Sequence, residues 1–192
     1  IMISGSGARN NLVQGNYIGT DAAGMLKLPN RLSGVEMFNV NSNLIGGVEA
    51  AARNLISGNL LSGVSISDSN ASGNVVLGNF IGTDASGSNA LGNSRSGLFL
   101  SGVVSNTVGG SAAGARNVIS GNAENGILIT DARARGNVIN GNYIGTDQNG
   151  TRRTPNGAAG VRLEAPANFI GGATLEARNV ISGNSGSGLL LY

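Results

Sequence analysis

The chain has 192 residues, a net charge of +2 from 12 basic and 10 acidic side chains, and only 11% charged and 4% aromatic residues. With neither Cys nor His, it can form no disulfide or thiolate site and lacks the commonest general base and metal ligand. No basic run exceeds Arg152-Arg153, and no apolar run approaches the roughly 18 residues of a membrane helix, so neither nucleic acid, membrane insertion, cofactor nor metal is expected.

The first element in chain order is Ile1-Met2-Ile3-Ser4, a short stretch of strand character. Two Asn-led pieces follow, at Asn11 and at Asn16, the second inside the heptapeptide GNYIGTD. That heptapeptide returns as GNFIGTD at Gly78 and unchanged at Gly141, 63 residues apart each time. A fixed self-similar period is the signature of a repeat architecture. The chain divides into units 11–73, 74–136 and 137–192, and each unit splits into two related halves.

Each half offers three short pieces. The A pieces are IMIS at Ile1, VEMF at Val35, VSIS at Val64, LFLS at Leu98, ILIT at Ile127, VRLE at Val161 and LLLY at Leu189. The B pieces begin at Asn11, Asn43, Asn74, Asn106, Asn137 and Asn168. The C pieces begin at Asn16, Asn54, Asn79, Asn117, Asn142 and Asn179. No segment sustains helical apolar spacing without a Gly interruption. Short alternating pieces between Gly, Asn and Ser turns instead predict strands. Three per coil predict an all-β, right-handed, three-sided parallel β-helix of about six coils, a single domain over 1–192, with equivalent strands stacked about 4.8 Å apart.

The Asn residues that open the C pieces are expected to form a side-chain ladder at a corner, with Ile18 inward and Tyr17 outward. Asp21 and Gly24 suit the first and last positions of a type I turn. Odd coils carry a long loop after C, as in TDASGSNALGNSRSG from Thr83; even coils carry an extra loop between B and C, as in GGSAAGAR from Gly109.

The motifs RNVISGN, GNYIGTD and NGILIT resemble those of bacterial right-handed parallel β-helix repeat proteins of the pectin-lyase-like superfamily, over essentially the whole chain. Active members of that superfamily would place acidic residues and a basic residue on the outer face of sheet A and its flanking loops. The outer first row here reads Met2, Glu36, Ser65, Phe99, Leu128, Arg162, Leu190; the second reads Ser4, Phe38, Ser67, Ser101, Thr130, Glu164, Tyr192. Glu36 and Glu164 fall four coils apart, about 19 Å, too far for a glycosidase pair at about 5–9.5 Å. Asp68 and Asp131 fall two coils apart but occupy equivalent turn positions. Enzymatic activity is therefore not carried over from the resemblance.

Arg53, Arg116 and Arg178 recur at two-coil spacing, either solvated or paired with Asp21, Asp84 and Asp147 at a corner. The long loops are expected to flank sheet A and, with its outer aromatics, to form a ligand-binding surface of Phe38, Phe99, Arg95, Arg152, Arg153, Lys27 and Arg31. The near-uniform repeat favours a structural or adhesive module, extracellular or at a cell surface and without catalysis. The alternative is a carbohydrate-binding or polysaccharide-active domain. The expected partners are an extended polysaccharide or another surface protein. An ice-binding array is disfavoured by the irregular outer rows. Seven A pieces against six B and six C pieces point to an excerpt of a longer repeat protein, or to end-to-end self-association.

Overall fold

The computed structural model describes all 192 residues and is a parallel solenoid of three sheets, with seven strands in the first and six in each of the others. Sheet A stacks Met2–Ser4, Val35–Phe38, Val64–Ser67, Leu98–Ser101, Ile127–Thr130, Val161–Leu163 and Leu189–Leu191. Sheet B stacks Leu12–Val13, Leu44–Gly46, Val75–Leu77, Thr107–Gly109, Val138–Asn140 and Phe169–Ile170. Sheet C stacks Tyr17–Ile18, Leu55–Ile56, Phe80–Ile81, Val118–Ile119, Tyr143–Ile144 and Val180–Ile181. The only helical turn is a three-residue 3-10 segment, Ala50–Ala52, in an even-coil loop.

Register follows the alternation of apolar side chains. Val35 pairs with Val64, Leu98 with Ile127 and Ile127 with Val161, all facing the lumen. A one-residue slip would turn each of these outward, so the buried face fixes the pairing. One cluster of 26 buried residues fills the lumen from end to end. The outer first row of sheet A aligns Met2, Glu36, Ser65, Phe99, Leu128, Arg162 and Leu190, as the sequence predicts.

The corners are held by asparagine. Along sheet C, the Asn16 side-chain amide donates to Asn54 Oδ1, and the series continues through Asn79, Asn117 and Asn142 to Asn179 at 2.9–3.2 Å. Four of the five accepting Oδ1 atoms also take a backbone N–H, as when Asn79 N–H donates to Asn117 Oδ1 at 2.9 Å. A second series joins Asn11, Asn43, Asn74, Asn106, Asn137 and Asn168 where sheet A turns into sheet B. The residue before each of these six is in the left-handed region, with φ between 55° and 68°, which swings the following side chain into the stack.

A third series, absent from the sequence reading, runs through Asn30, Asn59, Asn93, Asn122, Asn156 and Asn184 at the corner from C to A. It explains the second glycine of the repeated heptapeptide. Gly82 has φ 91°, and a Cβ there would collide with Asn122 Oδ1 and the Ser120 carbonyl. The Ser of RNVISGN closes the same corner: Ser120 Oγ donates to the Thr146 carbonyl at 2.7 Å and accepts from Gly145 N–H at 2.9 Å.

Two substitutions separate core from ladder. Ile119 is wholly buried in the lumen, so Ile119→Ala should destabilise by about 2–5 kcal/mol. Asn117→Ala, which orphans the Asn79 N–H and removes one acceptor of its side-chain amide, should cost about 1–3 kcal/mol. Denaturant melts check both; an unmoved midpoint for Ile119→Ala would contradict the inward face.

Candidate functional site

The solenoid presents three outer faces, and they differ. On sheet C the outer row is Tyr17, Leu55, Phe80, Val118, Tyr143 and Val180. The long odd-coil loops fold back over this face as hairpins, closed by antiparallel bridges between Thr20 and Lys27, Thr83 and Ala90, and Thr146 and Arg153. Their tips rest on the row: a Cβ on Gly24 would meet Leu55 and Tyr17, one on Gly87 would meet Phe80, and one on Gly150 would meet Tyr143. Leu55, Phe80 and Val118 thereby form a small second core with Ala85.

Asp21, Asp84 and Asp147 build these hairpins. Gly24 N–H donates to the Asp21 carbonyl at 3.0 Å, and the Asp21 carboxylate accepts from Met25 N–H and Leu26 N–H. Its pKa is lowered, first by the Leu26 N–H bond and then by that of Met25. At Asp84 burial pushes the pKa up, but bonds from Ser86 and Asn89 outweigh it and the net shift is downward. The hairpins are not separate prongs. Ala85 N–H donates to the Gly24 carbonyl at 3.0 Å and Gln148 N–H to that of Gly87 at 2.8 Å, which joins them into one ridge.

The arginines of the even coils do not pair with these aspartates. Arg53 lies 4.1 Å over the Phe80 ring and Arg116 4.0 Å over that of Tyr143. Their Nε atoms donate to the carbonyls of Gly78 and Gly141. The aspartates already accept hairpin amides, and the aromatic row lies within reach one coil on, so stacking is the contact that forms.

The seven predicted ligand-binding side chains do not form one surface. Lys27 Nζ donates to the Gly92 carbonyl at 2.8 Å, and Arg153 Nε to that of Gly183 at 2.6 Å, so both tie the ridge to the coils. Arg152 follows Asp147 in the third hairpin, where its own N–H bonds that carboxylate. Hairpins that fold over sheet C carry these three cations away from sheet A. Phe38 stands half-exposed on the second outer row of sheet A, opposite Ser67.

Arg95 and Phe99 do come together. They line a groove of about 180 Å³ along the edge of sheet A with Ser33, Glu36, Leu61, Ser62, Ser65, Ser96, Glu124 and Leu128. Arg31 lines a neighbouring cleft with Glu36 and Ser33. Ser33, Ser62 and Ser96 are buried residues lying two positions before successive A strands. The sequence signal for them is the small residue ahead of each Gly-led strand. The groove thus offers one guanidinium, two carboxylates, four hydroxyls and an aromatic ring. Glu36 lies on the second A strand, and Glu124 lies in the turn that leads into the fifth. No three His, Cys, Asp or Glu side chains cluster to hold a metal ion.

Elsewhere on sheet A, Asp131 and Arg133 form a two-pronged pair at 3.0 and 2.6 Å, and Arg162 pairs with Glu164 at 2.6 Å. Sheet B shows an unbroken outer row of Leu12, Leu44, Val75, Thr107, Val138 and Phe169, apolar in all but one position. No protein-family model, curated protein or solved structure shows a significant match to the chain.

The Arg133 side-chain bond holds the Asp131 carboxyl at about 2, against an ordinary 3.8. A depressed pKa means that the pair's contribution is present above the unfolded value and is lost as pH falls from 3.8 towards 2. NMR titration should place the Asp131 midpoint near 2, and Arg133→Ala should return it towards 3.8; a parent midpoint near 3.8 would contradict the pair.

Proposed function

We propose that the protein is a non-catalytic structural or adhesive module, extracellular or displayed at a cell surface, whose solenoid serves as a rigid rod. The observation that carries this reading is the continuity of all three asparagine ladders through every coil. Enzymes on a repeat scaffold need unlike environments to set one acid and one base apart. Here equivalent positions repeat, and Asp131 is fixed as an ionised partner of Arg133. The partner proposed for the rod is another surface protein or an extended polysaccharide.

A second reading rests on the groove at Arg95 and Phe99. Clustered hydroxyls beside one ring and one cation suit a polyhydroxylated, partly anionic chain, with the ring as stacking platform and the guanidinium as carboxylate partner. This would make the module carbohydrate-binding.

Incubation with pectin, alginate and related polymers should yield neither unsaturated nor new reducing ends. A glycan array then separates the two readings. A hit lost in both Phe99→Ala and Arg95→Ala would establish the groove as the binding surface, whereas turnover abolished by Glu36→Gln or Glu124→Gln would overturn the non-catalytic reading.

A further inference from the structure

Four asparagines of this chain are followed by glycine: Asn125, Asn140, Asn149 and Asn156. Such a pair is open to attack by its own backbone, because glycine has no Cβ to keep its nitrogen from the preceding side chain. We propose that the fold makes one of the four, Asn149 at the tip of the third hairpin, a self-modifying site that converts to aspartate and isoaspartate in the native protein, and that it holds the other three back.

The step needs only water. The Gly150 nitrogen bonds to Asn149 Cγ, the Cγ–Nδ2 bond breaks, and ammonia leaves from a closed succinimide ring. The proton that the nitrogen gives to solvent is matched by the one taken up with the departing ammonia, and nothing is oxidised or reduced. Water then opens the ring. Cleavage of the new Cγ–N bond leaves aspartate; cleavage of the original peptide C–N bond leaves isoaspartate, in which the main chain runs through the side chain.

Three conditions decide where this happens: a free carboxamide, access for water, and a glycine nitrogen that can leave its hydrogen bond. Asn149 is exposed, with its carboxamide in solvent. The Gly150 N–H donates only to the Asp147 carbonyl, at 3.0 Å within the same turn, so opening that turn alone releases it. Openings of this local kind cost far less than openings of the core.

The other three pairs each fail a condition. Asn156 is wholly buried in the third ladder. Its Oδ1 accepts the Asn122 N–H and side-chain amide, and its own amide donates to the Ile119 carbonyl and Asn184 Oδ1. Asn125 is buried, its Oδ1 accepts from Ala159 N–H, and Gly126 N–H is tied to the Ala159 carbonyl. Asn140 is the instructive case, because its Oδ1 has no partner. That atom is closed off from water, however, and the residue lies on the strand Val138–Asn140. Gly141 N–H is held by the Ala177 carbonyl at 3.0 Å, and the Gly110 carbonyl would stand 2.1 Å from any Cβ added there. The Gly141 nitrogen can turn on Asn140 only if the strand leaves its sheet.

The product has a defined place to act. Asn149 sits between two anchors of the ridge: Gln148 N–H on the Gly87 carbonyl, and Thr151 and Arg152 N–H on the Asp147 carboxylate. Isoaspartate lengthens the main chain between them and adds a carboxylate. The third hairpin then loosens from the ridge, while the ladders, which do not include Asn149, keep the rod folded.

The test follows all four Asn–Gly peptides by mass spectrometry, with an isoaspartate-specific label, as the 192-residue chain ages at mildly alkaline pH, either folded or unfolded in urea. In the folded chain Asn149 should convert at least roughly tenfold faster than each of the other three; in urea the four rates should converge. Amide exchange on the aged folded sample should show Gln148 and Arg152 N–H deprotected and the Asn79 side chain still protected, and Asn149→Gln should age without either change at the hairpin. A folded chain in which Asn149 converts no faster than the others would overturn the proposal. So would a ranking that persists unchanged in urea, or a converted hairpin whose Gln148 N–H stays protected.

Discussion

A stacked asparagine side chain is the interaction on which this structure depends. At each corner the backbone must turn while still enclosing an apolar lumen, and its polar groups cannot all reach water. An unpaired buried amide costs on the order of 1–3 kcal/mol. Here one amide group answers for two coils: the Asn79 side chain donates to the Ile45 carbonyl of the coil before and to Asn117 Oδ1 of the coil after. The repeat distance of the ladder equals the strand spacing, so the same residue serves wherever the chain turns. That is why so much of the sequence is Asn preceded by Gly, and why 11% charge suffices for a chain of this length: interior polarity is neutral and paired.

The two-coil period has its own physical origin. A hairpin laid over sheet C is thicker than one coil is tall, so successive coils cannot both carry one without overlap. Odd coils carry the hairpin, and even coils supply what fits between: a short corner, an Arg over the next aromatic ring, and the small side of the outer row. Hydrogen bonds from Ala85 to Gly24 and from Gln148 to Gly87 show that the hairpins span the intervening coil completely. One face is sealed by this arrangement, and sheets A and B remain for contact with other molecules.

Strand identity and register were legible in the sequence because alternation and period leave no freedom once the lumen is apolar. Two ladders were marked by Asn immediately ahead of an apolar pair, as in Asn117-Val118-Ile119. The third was hidden because its members, Asn59 apart, are not followed by an apolar pair; its mark was Pro or Gly before Asn, as at Pro29-Asn30 and Gly58-Asn59. The candidate site was less legible. Which way a hairpin folds is decided by tertiary contact between Gly24, Gly87, Gly150 and the rings beneath them, and no local pattern states it. Lys27 and Arg153 were therefore read beside sheet A, although they hold the ridge to its own coils. Arg95 lies past the hairpin, on the regular approach to a strand, and so lines the groove with Phe99.

The central claim is that the ladder amides are shared, buried and coaxial, and side-chain hydrogen exchange measures this directly. In a 15N-labelled sample the Nδ2 protons of interior ladder residues such as Asn79, Asn106 and Asn122 should be protected by orders of magnitude over those of the loop residues Asn89 and Asn149. Protection should also fall towards Asn16 and Asn184 at the two ends. Uniformly fast exchange across all of these asparagines would contradict the account.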